Sequence, residues 1–514
     1  MLERGAGVGH FFRHFPRQRN LISINKVHTS LSDPEARLRY DWNSLLGDAD
    51  TPLFTSYSKK YFPKADVLVS YLEDYAAALT DEIYLQTEVA RITTSDTGYV
   101  LLTQGGTRFE AAQVIVSTGV TQPWLPEIDG LELVEQYTTY DPTPERFDDK
   151  RVLILGKGNA AFETAESLTE HAQAIHVMSP QPIKFAWNSH FVGHVRAVNT
   201  NFIDTYQLKS QNAVIDAQVE QITRQDDGTF LVTATMAAAE GHTIVLQYDH
   251  VIACTGFRFD PSIFAPEIRP DVHRFDKFPK MTPNWEHPNA PGIWFAGTLM
   301  QSLDFKKTMS GFIHGFRHNI TALVEFVSAR HFGTEIPTQS FGAAGDDLIA
   351  QIIERFSISA GLFLQPGFLA DAYALSGPHA GQKFHEMPYA WLQQDVLPTG
   401  DFVTATLEFG DFGENPLHVK RAHNAFDGAP DPFIHPVLRF WRDGVLMHQR
   451  HLSDHLDADW RSFADRDSGA GTVTAMTYRD AGQTRAPAEM AIEQAARFFQ
   501  EIDALNIAQQ PAAE

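Results

Sequence analysis

The sequence predicts an α/β chain, and three sets of stretches carry that prediction. "RVLILGKGNAAFETAESL", from Arg151, reads as an apolar strand, a glycine turn and a helix. "AIHVM", Ala174 to Met178, supplies a second strand at the spacing of a strand–helix–strand unit. "AAQVIVSTG" (Ala111 to Gly119), "VIACTGF" (Val251 to Phe257) and "PGIWFAGT" (Pro291 to Thr298) are further apolar strands, each running out into small residues. Strands that alternate with helical segments imply parallel sheets covered by helices.

The Arg151 stretch is the most specific. Arg151 to Leu155 is apolar after its first residue, as a buried strand requires. Gly156, Gly158 and Ala161 then follow in the spacing G-x-G-x-x-A. The first allows a tight turn, the second keeps side chains away from a pyrophosphate, and the third lets the helix approach the sheet. Ala161, Ala165 and Leu168 recur at helical spacing, so Ala160 to Leu168 is predicted as the helix. Backbone N–H groups at Gly158 and Asn159 would face the phosphates. This is a Rossmann-like unit expected to bind a dinucleotide through Gly156, Gly158, Asn159 and Ala161; the alternative is a unit that keeps the turn without the ligand. After the second strand the chain reads Ser179, Pro180, Gln181, Pro182, Ile183, Lys184. No acid is present to bond a ribose hydroxyl, and Lys184 is basic, which favours NADPH over NADH.

The opening "MLERGAGVGHFFRHFPRQRNLISINK" is also glycine-rich but fails the same test. Too few residues precede Gly5, Gly7 and Gly9 for a strand, and Pro16 stands where a helix would run. "MLE" reads better as the end of the second strand of another Rossmann unit, with Glu3 as its ribose-binding acid and the earlier elements upstream of Met1. The alternative is that Glu3 is a solvated residue near a frayed terminus.

Composition narrows the function. The chain has 514 residues and a formal charge of −23, which disfavours nucleic acid and anionic membrane as partners. No apolar run reaches the length of a membrane span. The single cysteine, Cys254, cannot form an internal disulfide or a Cys-x-x-Cys pair, so electron transfer through the chain's own dithiol is excluded. One cysteine and no visible secretory signal point to the cytoplasm, with a targeting segment upstream of Met1 left open.

A partial Rossmann unit, Ser-Thr-Gly, a second Rossmann unit, Cys-Thr-Gly and Ala-Gly-Thr follow in order. That layout resembles the two-dinucleotide-binding-domain flavoproteins, within them the flavin-containing monooxygenase-like group. "RNLISINK", "DWNSLL", "LILGKGNAAFETAE", "DTYQLKS" and "GFIHGFRH" resemble the endoplasmic-reticulum flavoprotein associated with degradation and its bacterial relatives. The resemblance implies FAD in the first domain and NADPH, or less readily NADH, in the second. It implies FAD contacts at Glu3, Val89, Thr118, Gly119, Gly297, Asp304, Ser310 and Gly311, with Asn25 and Lys26 near the reactive face of the flavin. For Asn25, Lys26 and Asp304 a plain loop hydrogen bond is the alternative. The group's usual F-x-G-x-x-x-H is reduced here to Gly130, with Ile128 and Val134 in the outer places, and the usual Gly-Asp strand end reads Gly297-Thr298. Both departures bear on oxygen insertion more than on flavin binding.

The expected organisation is an FAD-binding domain over 1–146 and 250–335, incomplete at its N-terminus. An NAD(P)H-binding domain over 147–249 is inserted in it. "EIPTQSFGAAGD" (Glu335 to Asp346) reads as a linker to an α+β domain over 347–514. There "FVTATLEFGD" and "PVLRFWRDGVLMHQRHL" read as strands, the latter with an Asp443-Gly444 hairpin turn, and "APAEMAIEQAARFFQEI" reads as an amphipathic helix. His190 and His194 are spaced as a helical metal pair, but nothing beside them supports one, and Trp187 and Tyr206 read as packing residues. The expected function is an FAD-dependent oxidoreductase that reduces its flavin with NAD(P)H. Reduced flavin would then activate oxygen to hydroxylate a small nucleophile such as an amine, or release peroxide. The alternative is a flavoprotein-fold scaffold with little turnover, with the C-terminal domain serving a homodimer or a protein partner.

Overall fold

The computed structural model describes residues 1–514 apart from 30, 49, 80–81, 187–193, 238–240, 275, 343–344, 414–418, 420–427, 462–477, 481–482, 486 and 509–514. The chain forms two compact units. One comprises Met1–Ile24, Ser56–Glu110 and Thr118–Lys280; the other comprises Asn25–Thr55, Ala111–Ser117 and Met281–Glu514.

The first unit is built on a seven-stranded sheet in the order Thr243–Tyr248, Phe230–Met236, Ala213–Arg224, Ala174–Ser179, Arg151–Leu155, His250–Ala253, Glu135–Gln136. The last five strands pair in parallel; the first two join by antiparallel pairing. Alternation along the central strand decides what each face meets. Val152 and Ile154 point to the side of the helix Asn159–Leu168, packing with Ala161, Phe162, Ala165 and Leu168. Leu153 and Leu155 point the other way, onto Val219, Ile222, Val232 and Ala234. Ile128 and Val134, where the monooxygenase-like pattern has Phe and His, pack into this second layer. A three-stranded sheet in the order Val89–Ser95, Gly98–Thr103, Arg108–Ala111, its first two strands antiparallel, completes the frame.

The second unit centres on a six-stranded antiparallel sheet in the order Gln339–Ser340, Gln382–Pro388, Leu369–Ala374, Asp401–Glu408, His435–Arg442, Val445–His451. Every residue of Leu369–Ala374 is buried because both faces are covered. Leu369 and Tyr373 meet Leu348, Ile352 and Phe356 of the helix Gly345–Ile358 and Phe498 of the helix Pro487–Ala508. Ala370, Ala372 and Ala374 form the opposite face, and their small size admits Trp285, Trp294, Leu323 and Phe326. Trp294 lies on Ile293–Phe295, paired in parallel with Val114–Val116. The strand read from Ala111 to Gly119 is therefore only Val114–Val116 in hydrogen-bonded form. The segment read as a linker contributes the edge strand Gln339–Ser340, paired with Gln382 and Lys383. Asp443 and Gly444 both have positive φ, 46° and 79°, as a tight hairpin turn requires.

Segment 33–44 enters this unit through buried guanidinium groups. Arg39 donates to the carbonyls of Phe356 (2.8 Å), Ser359 (3.0 Å) and Ala458 (2.8 Å), capping the C-terminal end of the helix Gly345–Ile358. Arg317 donates to the Ser44 and Leu38 carbonyls, each at 2.7 Å. Arg355 gathers three carboxylates, Glu35 (3.1 Å), Asp371 (3.0 Å) and Glu386. Burial by itself would raise the carboxyls of Asp371 and Glu386, but the Arg355 charge outweighs it and holds both below the usual carboxylate range.

Replacing Arg355 by Met strands two buried carboxylates. It should lower stability by about 3–5 kcal/mol in urea titrations. In the wild-type chain the folded Asp371 and Glu386 titrate below their unfolded values. Their contribution is therefore complete above about pH 4 and is lost as pH falls through the folded values, which acid unfolding curves would register.

Candidate functional site

The Arg151–Leu155 strand lies between Ala174–Ser179 and His250–Ala253, all parallel. The chain passes first to the neighbour on one side and only later supplies the neighbour on the other. In such sheets the crevice at the C-terminal strand ends is where ligands bind. Gly156 opens that crevice with φ 118°, and a Cβ there would meet the Cys254 carbonyl oxygen at 2.3 Å. Its N–H donates to the Met178 carbonyl at 2.8 Å, tying the turn to the adjacent strand end. Gly158 is the N-cap of the helix Asn159–Leu168 and offers no side-chain cap. The first intrahelical bonds run from Ala161 and Phe162 back to Gly158, so the preceding amides are left for an anion. Ala161 is fully buried against the sheet. These observations fit a dinucleotide pyrophosphate.

Two side chains of this turn do work that their sequence positions do not announce. Asn159 donates to the His194 carbonyl (2.7 Å) and accepts from Arg196 N–H (2.9 Å) and Asn199 (2.8 Å). Its side chain therefore holds segment 194–199 in place, leaving its backbone to the site. Asn199 and Gln18 also donate to Glu163, at 3.1 and 2.7 Å, and burial raises the Glu163 carboxyl above its usual value. Lys157, between the glycines, is buried and donates to the carbonyls of Ser179 (3.0 Å) and Gln181 (3.1 Å) and to Asp216. Its protons are all engaged, so it braces the loop after the second strand. Lys184 is exposed on that same segment. His190 and Trp187 lie outside the described residues; among the described residues no group of three His, Cys, Asp or Glu could hold a metal ion.

The first unit has a second cleft, of about 470 Å³, lined by Arg4, Gly5, Ala6, His10, Gln86–Glu88, Thr103, Gln104, Gly105 and Thr107. The Glu3 carboxylate accepts from Gly5 N–H at 2.6 Å, and its carbonyl accepts from Thr87 N–H at 2.8 Å. Glu3 is thus brought to the segment that leads into Val89, as an adenosine-ribose site would need. Thr118 is exposed, and Gly119 follows with φ 68° and open space beside it. Cys254 is buried, and burial pushes its thiol up to about 12.

In the second unit Gly297 follows the Ile293–Phe295 strand and begins the short helix Gly297–Ser302. Asp304, Ser310 and Gly311 come together in the loop before the helix Ile313–Phe332, which has no side-chain cap at its start. Gly315 lets that loop press on the helix, because a Cβ there would meet the Met309 carbonyl oxygen at 1.9 Å. Asp304 Oδ2 accepts from the Thr308 hydroxyl and from Ser310 N–H at 3.2 Å. Oδ1 is buried with no partner among the described residues. Burial raises the Asp304 carboxyl above its usual value, against the pull of these donors. A buried acceptor left open in this way fits a donor supplied by a ligand. Asn25 is buried and pairs by backbone with Asp41. Lys26 is exposed, with its ammonium 5.9 Å above the Tyr40 ring. Among the described residues the Gly156 turn is the one Gly-x-Gly passage from strand to α-helix.

Gly156→Ala should cost about 1–3 kcal/mol through the positive φ and the Cys254 contact. NADP⁺ affinity by calorimetry should fall about tenfold or more. Lys157→Met should weaken NADP⁺ in the same assay while leaving FAD affinity unchanged, since the loop it braces belongs to the nucleotide sheet alone.

Comparison with known proteins agrees with this geometry. The family model described as pyridine nucleotide-disulphide oxidoreductase matches residues 1–297. The chain is 33% identical over 496 residues to FAD-dependent oxidoreductase domain-containing protein 2 of Danio rerio, covering 86% of this chain and 72% of that protein. Its counterpart in Mus musculus is 32% identical over 481 residues, with the same coverage. A more distant relative, Ferredoxin–NADP reductase 2 of Exiguobacterium sibiricum, is 25% identical over 243 residues, covering 45% of this chain and 64% of that one. A family model that spans more than half of the sequence, and relatives that align along most of it, place the chain in the pyridine nucleotide-disulphide oxidoreductase family.

Proposed function

We propose that this chain is an oxidoreductase that uses FAD and NADPH, with molecular oxygen as the final acceptor and a small-molecule substrate. The observation that carries the reading is the Gly156 turn at the switch point of a parallel sheet, free of side chains where a pyrophosphate would lie. Bound FAD would supply the redox chemistry, as the carrier of an electron pair between NADPH and oxygen. The chain's part is to hold and orient. Gly156, Gly158, Asn159 and Ala161 hold the nicotinamide dinucleotide by backbone, with Lys184 as the exposed cation for its additional phosphate. Residues 147–249 form that domain. Glu3, Val89, Thr118 and Gly119 serve the adenosine side of FAD; Gly297, Asp304, Ser310 and Gly311 serve its flavin side, within 1–146 and 250–335. Asn25 and Lys26 supply polar groups near the reactive face.

The disulphide chemistry in the family's name does not run through cysteines of this chain, which has one, buried and protonated. Oxygen chemistry of the monooxygenase-like kind replaces it: either an oxygen atom passes to a nucleophile such as an amine, or hydrogen peroxide leaves. Ile128 and Val134 sit in the apolar layer where that group carries Phe and His, which favours peroxide. Among the described residues no helix is long and apolar enough to cross a membrane.

The FAD-loaded chain should consume NADPH and oxygen in equal amounts and release hydrogen peroxide at a matching rate without added substrate. Oxygen uptake beside a peroxide assay measures this. Candidate amines that lower peroxide yield without slowing NADPH use would identify the hydroxylated substrate. Bound FAD with no NADPH consumption would favour the scaffold reading instead.

A further inference from the structure

Gln365 follows the short helix Ala360–Leu364 and is fully buried. Its backbone is fixed on both sides: its N–H bonds the Gly361 carbonyl at 2.9 Å, and its carbonyl accepts from Phe368 and Leu369 at 3.0 and 3.1 Å. The side chain reaches across the same unit to the flavin-side loop. Oε1 accepts from Met309 N–H at 3.0 Å, while Nε2 donates to Ser310 Oγ at 2.7 Å and to Asn319 Oδ1 at 2.8 Å. Asn319 Nδ2 in turn donates to Ser310 Oγ at 2.8 Å.

One backbone group fixes the sense of this line. Met309 N–H can only donate, so the Gln365 oxygen faces it and the amide nitrogen faces Ser310 and Asn319. Asn319 must then present its oxygen to Gln365 and its nitrogen to Ser310. Ser310 Oγ thereby accepts two N–H bonds and keeps one hydrogen to give. Asp304, whose Oδ2 already accepts from the Ser310 N–H at 3.2 Å, is the carboxylate beside that hydroxyl. Every member is satisfied until Asp304 Oδ1, where the line ends without a partner among the described residues. A buried polar chain of this kind holds one geometry, and its single open end marks where a ligand completes it.

We propose that Gln365 is a positioning residue for the flavin: its carboxamide turns the Ser310 hydroxyl onto Asp304 and leaves Asp304 Oδ1 open to a hydroxyl of the FAD ribityl chain. The proposal rests on the FAD reading above. It gives the C-terminal part of the chain, which carries none of the other expected cofactor contacts, a direct part in the cofactor site.

The full-length chain, stripped of flavin and titrated with FAD, tests it in two variants. Gln365→Met removes all three bonds at similar length. Gln365→Glu keeps the bond to Met309 N–H but replaces two donors by an acceptor that draws the Ser310 hydroxyl away from Asp304. Each variant should weaken FAD about tenfold or more. Each should also shift the band shape of the bound flavin's visible spectrum and its midpoint potential. NADP⁺ affinity, which depends on the first unit, should stay at the wild-type value. The two variants are separated by folding: if Gln365→Met does not fold, Gln365→Glu, which preserves shape, carries the test. A lower thermal midpoint with wild-type FAD affinity, spectrum and potential would overturn the proposal and leave Gln365 a structural residue. A wild-type chain that takes up no FAD would overturn the flavin reading itself, a different failure.

Discussion

At Gly156 the backbone has to turn through a positive φ while passing the Cys254 carbonyl with no room for a Cβ. Three strands end there, and the turn is bonded to one of them through Met178 and packed against another through Cys254. The alternating apolar residues of the central strand fix the sheet between its two layers. The helix that leaves the turn is drawn close by fully buried Ala161 and Ala165. Placement of the amides at the head of that helix follows from these contacts. Lys157 and Asn159 extend the same order to loops 179–181 and 194–199, so the surroundings of the turn are built outward from one glycine.

The second unit solves a different problem. It brings polar loops into a buried setting, and it does so with guanidinium and carboxamide groups that satisfy backbone carbonyls and amides. Arg39 and Arg317 take up the carbonyls of segment 38–44 and of the end of a helix; Gln365 takes up the Met309 amide. The apolar core on either side of Leu369–Ala374 supplies the stability that such buried polar groups cost. The outcome is a loop, residues 304–311, whose conformation is set by residues remote in sequence.

That remoteness explains what the sequence discloses and what it withholds. The Arg151 strand, its turn and its helix are legible because strand period, glycine spacing and helical period are all local signals. The helix starts at Asn159 and the second strand ends at Ser179, each within a residue of the reading. The Ala111–Gly119 stretch reads as one apolar strand ending in Ser-Thr-Gly, yet only Val114–Val116 finds a partner, because pairing depends on Ile293–Phe295 far along the chain. The edge strand at Gln339–Ser340 reads as a linker for the same reason: its polar residues belong in a strand only beside Gln382 and Lys383. Lys157 and Gln365 went unread because Asp216 lies 59 residues from the first and Met309 lies 56 from the second. A large basic residue between two turn glycines was the one local hint for Lys157. Gln365 offered none. Of the expected site residues, those on the Gly156 turn stand together, as do Asp304, Ser310 and Gly311, whereas Lys26 and Thr118 are exposed side chains.

On the proposed function, electrons enter from NADPH and pass to flavin held by this chain. Rapid mixing of the FAD-loaded chain with NADPH in the absence of oxygen follows that step by itself. The predicted result is bleaching of the flavin's visible absorbance at a rate that saturates with NADPH and slows when the transferred hydrogen is deuterium. Flavin that stays bound and fully coloured at saturating NADPH would contradict it.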